Sequence, residues 1–569
     1  MSLQRNEYVL GIDLGTTNTC TAIMTSRSPD PKVISYPDGS RLLKSCVKYS
    51  KPFDVGSAAF NYLTYGLPGV VKNSKRIIGR YYKDEIVQRC IKENQCGVEI
   101  KEVNGKPVFL IDDTTLISPS DVSSEIIKRV VVKAEEYVKK AYGDGMKYTK
   151  IAVTFPAHFD NNQRTATLLA VEKAGICKEK LTMLNEPSAA AFYYCKSNKI
   201  DNQTILVYDL GGGTFDVSIV RVEGNDYKVL KYAGNPFLGG ADIDTLFAKV
   251  IEKKYEDSYH EPLINTKDEK IRRRYYLRLN AIAEDAKTQL KTFKRFAVNL
   301  SVFGICDQNN NDQNLHSNSS SDSSSDSSSD SEDDDGIFVD VTREDLDNCI
   351  KELIDQTIEI VKKCIQDCKM TVSDIDRVVM IGGSSRLLMV RDRLRKLFGD
   401  EKLIGAVNPD EAVACGACLS LVERLQLTDR IVYSLGQKLK GGIVRCLIPR
   451  QTAIKFTSEE AESFPASDYT RFVNCAVYQG NAAKEGDTSE TIDECILIGE
   501  YTIEGYDYAP ASEVTFLTTF TIDEWGIVHV IDKYKEKNNK ILVDKMFRWE
   551  EPILRNGDTS QVNVQRVSK

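Results

Sequence analysis

Two glycine-rich turns carry the strongest chemical signal in the sequence. Residues 11–17 read Gly-Ile-Asp-Leu-Gly-Thr-Thr, and residues 209–216 read Asp-Leu-Gly-Gly-Gly-Thr-Phe-Asp, each after a run typical of a buried strand. Glycine lets backbone N–H groups approach phosphate oxygens without a Cβ clash, threonine adds hydroxyl donors, and aspartate can hold a hydrated cation. One such turn also fits an ordinary hairpin. Two copies, with Asp13 and Asp209 196 positions apart, indicate two similar lobes that clamp one polyphosphate.

A third glycine turn lies in the run Val-Val-Met-Ile-Gly-Gly-Ser-Ser-Arg at residues 378–386. The pattern predicts a strand, a glycine pair and a helix start, where a helix N-terminus favours anionic or polar ligand groups. An ordinary strand-to-helix turn has the same pattern. The two common nucleotide motifs are absent, because Gly105-Lys106 lacks the upstream glycine of a P-loop and no turn has the dinucleotide spacing. The three turns together indicate a nucleotide site of another type.

The hydrophobic pattern predicts the elements that must hold these turns. Over roughly the first 420 residues, short β-branched runs alternate with helical patterns such as 272–296 and 343–370, which is typical of an α/β fold. After Asp429, five short alternating runs separated by turn residues predict an all-β sandwich or barrel. These runs cover residues 442–448, 469–478, 494–503, 513–522 and 526–531. The domain boundary is expected between Leu421 and Val432.

A serine- and aspartate-rich segment interrupts the α/β part at residues 309–335. It has almost no apolar side chains with which to offset the entropy lost on ordering, so we expect a disordered loop. Apolar alternation in 296–305 and 337–341 predicts two strands of a hairpin whose turn has been expanded. The segment is either an inert spacer or a target of serine phosphorylation, which would add charge to an already acidic stretch.

Composition excludes several classes of protein. The chain has 569 residues, of which 41% are hydrophobic and 28% charged, as in ordinary globular proteins. Its net charge is −8, but nine acidic residues and no basic ones lie between Cys306 and Gly336, so the remainder is close to neutral. This balance argues against a nucleic-acid partner and against a membrane surface. The sequence also lacks the apolar run of about 18 residues that predicts a membrane span.

The cysteines suggest a compartment. Fifteen of them are too dilute for a disulfide framework in a chain of this size, and an odd number cannot all pair, so reduced thiols are expected. Only ten residues precede Gly11, which is too few for a signal peptide. We therefore expect a cytoplasmic protein.

Seven motifs in register resemble the 70-kDa heat-shock chaperone family. They are residues 11–17, 75–80 (Lys-Arg-Ile-Ile-Gly-Arg), 185–191 (Asn-Glu-Pro-Ser-Ala-Ala-Ala), 209–216, 238–240 (Leu-Gly-Gly), 382–386 and 408–412 (Asn-Pro-Asp-Glu-Ala). Actin and the sugar kinases share the phosphate turns but would not usually show the 185–191 motif or a β domain. The resemblance implies an actin-like two-lobed α/β ATPase domain, a linker and an all-β sandwich that binds substrate. The expected limits are 1–424 with the insertion 309–335, 425–430 and 431–569.

The family's residue roles can be transferred to the matching positions. Lys75 would orient the attacking water and the γ-phosphate, and Thr214 would contribute a hydroxyl to that phosphate. Glu186 and Asp209 would take part in catalysis and, with Asp13 and Asp216, hold hydrated Mg²⁺. The resemblance implies ATP and ADP as ligands and hydrolysis of ATP to ADP and phosphate; K⁺ is a further candidate ion. The expected phosphate-binding residues are Gly15, Thr16, Thr17, Gly211, Gly212, Gly213, Gly239 and Gly240, and those for adenosine are Glu284, Lys287, Gly383, Ser384, Arg386 and Asp410.

Some positions depart from the family pattern. Thr288 replaces a basic residue that stacks on adenine, which would weaken ATP binding by roughly 1 kcal/mol, and Lys291 replaces a serine contact. Pro156 and Arg164 match a switch between nucleotide state and the second domain, although a proline ending a strand and a surface arginine would look the same. The linker 425–429 is shorter and more polar than usual, so coupling between the domains is less certain than ATP binding.

The resemblance also implies partners. Residues 441–444 and 477–480 lie where the family binds extended apolar segments of unfolded proteins, and a J-domain co-chaperone and a nucleotide exchange factor are expected. Only 21 residues follow Arg548, which is too few for the family's helical lid. The absence of a lid leaves an alternative open, namely a regulatory or ribosome-associated member that acts as the partner of a J-domain protein.

Overall fold

The computed structural model describes residues 3–65, 67–304, 336–403, 408–423, 426–552 and 554. The predictions for the acidic segment 309–335 and for the C-terminal residues 555–569 lie outside the described residues. Within the described ranges, no helix combines the length and the apolar character needed to cross a bilayer.

The first lobe, residues 7–198, is a mixed sheet with helices and smaller sheets around it. Its elements are β1 (Glu7–Leu14), β2 (Asn18–Thr25), β3 (Ser28–Val33), β4 (Leu42–Lys44), β5 (Cys46–Lys48), β6 (Asp54–Val55), α1 (Ser57–Thr64), β7 (Val70–Lys72), α2 (Glu85–Lys92), β8 (Glu99–Val103), β9 (Lys106–Leu110), β10 (Leu116–Ile117), α3 (Pro119–Tyr142), β11 (Lys147–Phe155), α4 (Asn161–Lys173), β12 (Leu181–Asn185) and α5 (Glu186–Asn198). The main sheet has the order β12-β11-β1-β2-β3, with β4 beside β2. Both faces of β1 are buried, which explains its continuous apolar run.

The second lobe, residues 202–403, repeats this plan. Its elements are β13 (Asn202–Leu210), β14 (Phe215–Glu223), β15 (Asp226–Asn235), α6 (Gly240–Tyr259), α7 (Glu269–Gln289), β16 (Arg295–Asn299), α8 (Ser301–Gly304), β17 (Phe338–Thr342), α9 (Arg343–Asp367), β18 (Arg377–Ile381) and α10 (Leu388–Phe398), followed by α11 (Ala412–Ser420). β1 is antiparallel to β2 and parallel to β11, and β13 is antiparallel to β14 and parallel to β18. Each glycine-rich turn therefore follows the first strand of its lobe's main sheet, which lies between an antiparallel and a parallel neighbour.

Three predicted elements of the second lobe differ in their limits. The helix predicted over 272–296 ends at Gln289, because the chain turns there and enters β16. A 3₁₀ turn over Gly383–Arg386 precedes α10, so the α-helix begins later than the glycine pair suggested. The strand predicted over 296–305 ends at Asn299, because α8 follows it from Ser301. β16 and β17 pair in an antiparallel register from Arg295↔Thr342 to Asn299↔Phe338. The strands that flank the acidic segment therefore form the predicted hairpin.

The C-terminal part, residues 426–552, contains no α-helix among its described residues. Its strands are β19 (Gln426–Thr428), β20 (Ser434–Lys438), β21 (Ile443–Ile448), β22 (Phe456–Thr457), β23 (Ala461–Ser463), β24 (Phe472–Gly480), β25 (Glu490–Thr491), β26 (Ile496–Glu504), β27 (Phe516–Ile522), β28 (Val528–Tyr534) and β29 (Lys540–Met546). β19 extends the sheet of the second lobe beside β15. The others form two sheets, β25-β21-β20-β24-β26 and β22-β27-β28-β29 with β23 beside β27, which share one hydrophobic core. Sequence analysis had predicted five strands of these two sheets, namely β21, β24, β26, β27 and β28, and missed β20, β29 and the short strands β22, β23 and β25.

Candidate functional site

A cavity of about 990 Å³ lies between the two lobes, and both predicted phosphate turns open into it. Eighteen of the 22 predicted site residues line it: Asp13, Gly15, Thr16, Thr17, Lys75, Pro156, Glu186, Asp209, Gly211, Gly212, Thr214, Gly240, Glu284, Lys287, Gly383, Ser384, Arg386 and Asp410. Gly213, Gly239, Asp216 and Arg164 do not. The structure thus brings residues from distant parts of the sequence to one site.

The glycine turns approach each other so closely that side chains would not fit. A Cβ on Gly212 would lie 2.0 Å from Oγ1 of Thr17, which belongs to the other turn. A Cβ on Gly239 would lie 2.4 Å from the backbone carbon of Gly213. Gly213 and Gly239 therefore pack against each other behind the cavity wall. Their contact holds the turn in shape and leaves the backbone of Gly211 and Gly212 at the surface of the cavity.

A buried ion pair spans the phosphate side of the cavity. Nζ of Lys75 lies 2.6 Å from Oε1 of Glu186, and the two residues are 6% and 8% exposed. Lys75 lies in a short 3₁₀ turn, and Glu186 is the first residue of α5, where Asn185 caps the helix by accepting from the N–H of Ser188. Because a buried charge is costly without a partner, the pair fixes both side chains. The ammonium therefore stays in place beside the glycine turns.

The carboxylates around Lys75 repel one another. Burial, followed by the charge of Glu186, raises the pKa of Asp13 to about 7, while Lys75 opposes this shift. The pKa of Asp209 is also raised, first by burial and then by the charges of Glu186, Asp216 and Asp13. The protein therefore concentrates negative charge at this point and supplies little positive charge of its own.

This donor set suits a hydrated Mg²⁺. Carboxylate oxygens are hard ligands, and a divalent cation would relieve the repulsion that raises the pKa values of Asp13 and Asp209. In the part of the chain that the structure describes, no three His, Cys, Asp or Glu side chains converge closely enough to hold a metal ion directly. Mg²⁺ keeps several waters and often takes phosphate oxygens as ligands, so it fits a site of this kind.

Asp216 lies one layer behind the cavity and touches two other side chains. Its Oδ2 accepts a hydrogen bond from Oγ1 of Thr214 at 3.2 Å. Its Oδ1 lies 2.6 Å from Nδ1 of His158. The sequence analysis had not singled out His158, because the pairing joins positions 58 residues apart. The one sequence signal for His158 is its position two residues after Pro156, in the segment that matches the family's interdomain switch.

Charged pairs line the predicted adenosine side. Nζ of Lys44 lies 2.6 Å from Oε1 of Glu284, and Nζ of Lys287 lies 2.6 Å from Oδ1 of Asp244. Burial alone would raise the pKa of Glu284, but the ammonium groups of Lys44, Lys72 and Lys287 hold it at about 2. The sequence analysis missed Lys44 and Asp244, since nothing near them in the chain indicates their partners. Glu284 is therefore ionised, so it can accept hydrogen bonds from hydroxyl groups.

Arg386 and Asp410 form an ion pair at 2.6 Å on the same side of the cavity. Thr288 and Lys291, the two adenosine-site positions that depart from the family pattern, also line the cavity on this side. Nζ of Lys291 donates to the carbonyl oxygen of Gly383 at 3.1 Å, so this side chain reaches from the end of α7 to the third glycine turn. Burial and the neighbouring Lys287 lower the pKa of Lys291 to about 8. The hydroxyl of Thr288 instead donates to its own helix, at the carbonyl of Glu284.

Arg164 joins the first lobe to the C-terminal part. It is 2% exposed, so its interpretation as a surface arginine is wrong. Its guanidinium donates to the carbonyl oxygens of Phe159 at 2.9 Å and of Ala157 at 3.4 Å, and across the interface to that of Trp525 at 2.9 Å. Pro156, at the start of the same loop, lines the cavity. A single short segment therefore contacts both the cavity and the C-terminal part.

The N-terminal part of α4 receives further contacts from the C-terminal part. The N–H of Val528 donates to Oδ1 of Asn161 at 3.0 Å, and the N–H of Trp549 donates to Oγ1 of Thr165 at 2.9 Å. Trp525 and Trp549, the only two tryptophans of the chain, are 7% and 8% exposed and join the hydrophobic core of the first lobe. Their indole rings therefore report on this interface.

The predicted linker is in contact with the second lobe. Residues 424 and 425 lie outside the described residues, but β19 pairs in parallel with β15 from Asp226↔Gln426 to Lys228↔Thr428. Asp429, which is 4% exposed, accepts hydrogen bonds from Asn185 and from the hydroxyl of Tyr232. Asn185 also caps the helix that begins with Glu186. Asp429 therefore anchors the linker to Asn185, whose neighbour in the chain, Glu186, lines the cavity.

Comparisons with known proteins agree with this geometry. A family model described as Hsp70 protein matches residues 9–320 and 312–551. Chaperone protein DnaK of Buchnera aphidicola subsp. Schizaphis graminum (strain Sg) is 31% identical over 549 residues, which cover 94% of this chain and 78% of that protein. These matches confirm the resemblance seen in the seven motifs. Hsp70 proteins are ATP-binding chaperones with ATPase activity that act in protein folding, and this chain belongs to the Hsp70 family.

Proposed function

We propose that this protein is an ATP-dependent chaperone that hydrolyses ATP to ADP and phosphate with Mg²⁺ and binds extended apolar segments of unfolded proteins. The observation that carries the proposal is the cavity between the lobes, where two glycine turns face each other beside the Lys75–Glu186 pair. A polyphosphate fits this arrangement because backbone N–H groups, hydroxyls and one ammonium converge there.

The phosphate half of the cavity would perform the hydrolysis. Lys75 would orient the attacking water and neutralise charge on the γ-phosphate, while Glu186 holds its ammonium in position. When ATP binds, Thr214 would turn its one O–H from Asp216 towards the same phosphate, and Asp216 would remain behind it. Asp13, Asp209 and Glu186 would hold Mg²⁺ through water, with Asp216 one layer behind them, and the ion would supply charge neutralisation at the phosphates. K⁺ remains a second candidate ion. Catalysis of this kind depends on positioning and electrostatics.

The adenosine half would hold ribose and base. Glu284, ionised by its lysine neighbours, would accept hydrogen bonds from ribose hydroxyls, and Lys287 would donate to them. Gly383, Ser384, Arg386 and Asp410 would contact the base and sugar from the opposite side. ATP would bind more weakly than in a site with a stacking guanidinium, because Thr288 offers no cation and Lys291 is engaged with the Gly383 carbonyl.

The proposed domains are an actin-like two-lobed ATPase domain over 1–424, a linker over 425–430 and a β-sandwich substrate-binding domain over 431–569. Pro156 and Arg164 would couple them, which the hydrogen bond from Arg164 to the Trp525 carbonyl supports. β19 and Asp429 add a second connection next to Glu186. These two connections support coupling between the ATPase domain and the C-terminal part, although the linker itself is short and polar.

The peptide site would lie in the C-terminal part, at residues 441–444 and 477–480. Ile443 is 37% exposed at the start of β21 and could contact an apolar segment. Gln479 is buried instead, because its side-chain oxygen accepts from the N–H of Asn161 in the first lobe. Separation of the C-terminal part from the first lobe would free this strand, so we expect nucleotide and peptide to influence each other.

We expect a J-domain protein and a nucleotide exchange factor as partners, and a cytoplasmic location. The regulatory alternative is less favoured because the complete catalytic set lines the cavity, whereas a purely structural partner of a J-domain protein need not keep one.

The decisive experiment is ATP turnover by the full chain, measured alone, with an unfolded apolar peptide, and with a J-domain protein. Turnover that requires Mg²⁺ and rises with peptide supports the chaperone. Turnover that responds to the J-domain protein but not to peptide would support the regulatory alternative. No turnover under any of these conditions would contradict the proposed ATPase.

A further inference from the structure

His158 is a buried titratable residue to which the proposed mechanism assigns no role. It is 8% exposed and lies between Ala157 and Phe159, two residues after Pro156, which lines the cavity. Its Nδ1 lies 2.6 Å from Oδ1 of Asp216 on β14. In the tautomer that carries its proton on Nδ1, the imidazole donates this hydrogen bond to the carboxyl oxygen. Bonds to a charged acceptor at this distance are among the stronger ones in proteins.

The same carboxylate holds Thr214 by its other oxygen. Oγ1 of Thr214 lies 3.2 Å from Oδ2 of Asp216, and Thr214 lines the cavity. Asp216 also lies directly opposite Asp209 in the β13–β14 pair. A rotation of the Asp216 carboxylate would therefore displace the threonine hydroxyl. His158 restricts that rotation because it occupies Oδ1 while Thr214 occupies Oδ2.

The backbone on both sides of His158 is fixed by Arg164. The guanidinium donates to the carbonyl oxygens of Ala157 and Phe159, and its remaining contact across the interface is the carbonyl of Trp525. The ring itself has less support. Nε2 is buried and has no hydrogen-bond partner among the described residues, so the bond to Asp216 is the one that sets the ring's orientation.

We propose that His158 is a positioning residue that orients Thr214 through Asp216 and so joins the Arg164-held loop to the phosphate site. This inference rests on the proposed ATPase function. Thr214 would act on the phosphate mainly in the transition state, so loss of the His158 bond slows hydrolysis more than it weakens ATP binding. The contact between Arg164 and Trp525 gives the C-terminal part a route to the same hydroxyl.

Three variants separate a hydrogen-bond role from a packing role. His158→Asn places an amide N–H close to where Nδ1 donates, His158→Gln moves that N–H one methylene further out, and His158→Phe fills the space without a donor. We expect single-turnover hydrolysis about tenfold slower for His158→Phe and His158→Gln, with the ATP Kd changed less than about threefold. His158→Asn should recover to within about threefold of the wild type.

A second measurement does not depend on hydrolysis. Both tryptophans lie at the interface that Arg164 contacts, so ATP binding should change their emission in the wild type. We expect this change to be reduced in His158→Phe and retained in His158→Asn. Should His158→Phe unfold more readily, a double-mutant cycle with Thr214→Ala decides the question. If the rate losses of the two single variants are not additive in the double variant, the proposed connection is supported. If they are additive, it is contradicted.

The outcomes distinguish this inference from the proposed function. A wild-type chain that fails to hydrolyse ATP overturns the ATPase itself, and this inference with it. A wild type that hydrolyses ATP, together with a His158→Phe variant of the same rate and emission change, overturns only the role of His158. Equal rates for His158→Asn and His158→Gln also contradict it, because packing alone would then explain the effect.

Discussion

The nucleotide cavity and the core of the C-terminal part both bury carboxyl groups, but they compensate them differently. In the cavity, Asp13 and Asp209 lie near each other and near Glu186, and their pKa values are raised by burial and by mutual repulsion. In the C-terminal core, Asp532 is fully buried, and burial raises its pKa while hydrogen bonds from Thr518 and Tyr501 oppose the shift. Oγ1 of Thr518 lies 2.5 Å from Oδ1 of Asp532.

This difference indicates where a ligand belongs. The neutral hydroxyl of Thr518, on the neighbouring strand of the same sheet, donates to Oδ1 of Asp532 inside the fold, so part of the cost of burying this carboxyl group is met within the sheet. The phosphate side of the cavity instead gathers several carboxyl groups around the ammonium of Lys75. Their mutual repulsion is left for a cation from solution to relieve. Clustered titratable groups with shifted pKa values in a cleft favour a functional site, whereas a single carboxyl group bonded by a neighbouring hydroxyl within a core favours a structural role.

The sharpest test of this contrast is removal of the cavity's ammonium, which should have the largest effect. Lys75→Ala should slow single-turnover hydrolysis by at least about 100-fold while ATP binding stays measurable, because a positioning charge acts mainly in the transition state. Lys44→Ala is the matched control on the adenosine side, and there we expect weaker ATP binding with a smaller change in rate. Hydrolysis by Lys75→Ala at the wild-type rate would contradict the catalytic assignment.

The second test removes one of the connections between the first lobe and the C-terminal part, the hydrogen bond of Arg164. Arg164→Ala deletes the hydrogen bond to the Trp525 carbonyl and leaves the Lys75–Glu186 pair in place. We expect more than about half of the ATP-driven change in tryptophan emission to be lost, while basal hydrolysis falls only a few-fold. Lys180→Ala is the control, since its ammonium lies 4.8 Å from the Tyr148 ring, and both residues belong to the first lobe. An unchanged emission response in Arg164→Ala would show that Arg164 does not couple them.

The third test concerns Asp532 and pH. Its folded-state pKa is raised, so the native state binds the proton more tightly than the unfolded chain, whose aspartate pKa is about 3.9. Stability of the C-terminal part should therefore rise as pH falls from the native pKa towards about 4 and then level off. Asp532→Asn cannot ionise, so its unfolding midpoint should lose this dependence on pH. Parallel pH profiles for the variant and the wild type would contradict the assignment.

The smallest effect is expected from deletion of residues 309–335. β16 and β17 pair in register on both sides of this segment, and the hairpin is packed by Val298, Val339 and Val341 of the second-lobe core. Thermal stability and basal hydrolysis should stay close to those of the full chain, because a longer loop changes closure entropy only slightly. A fall in the unfolding midpoint of more than about 5 °C would show that the segment contributes native contacts.

Local features of the site could be predicted from the sequence, and contacts between distant residues could not. The glycine turns and Lys75 lie in short motifs whose residue types already indicate phosphate chemistry. The Lys44–Glu284 pair joins positions 240 residues apart, and the bond from Arg164 to Trp525 joins positions 361 apart. Such partners depend on how the lobes and the C-terminal part pack together. The hydrophobic periodicity of the sequence carries no information about that packing.

The same limit explains the errors in the fold. β20 and β29 were missed because Ser434–Lys438 and Lys540–Met546 lack strong apolar alternation, and both are held by pairing with neighbouring strands. The helix predicted to reach residue 296 ends at Gln289 because Phe296 is used in β16, opposite Val341. Tertiary pairing therefore decided where these elements begin and end.

The central claim is that the cavity needs a divalent cation to hold a polyphosphate beside its buried carboxyl groups. Calorimetric titration of ATP into the full chain, with Mg²⁺ and then with excess EDTA, tests it directly. We predict that Mg²⁺ tightens ATP binding more than about tenfold, equivalent to at least about 1.4 kcal/mol, and that Asp209→Asn reduces this difference. Equal ATP affinity with and without Mg²⁺ would contradict the claim.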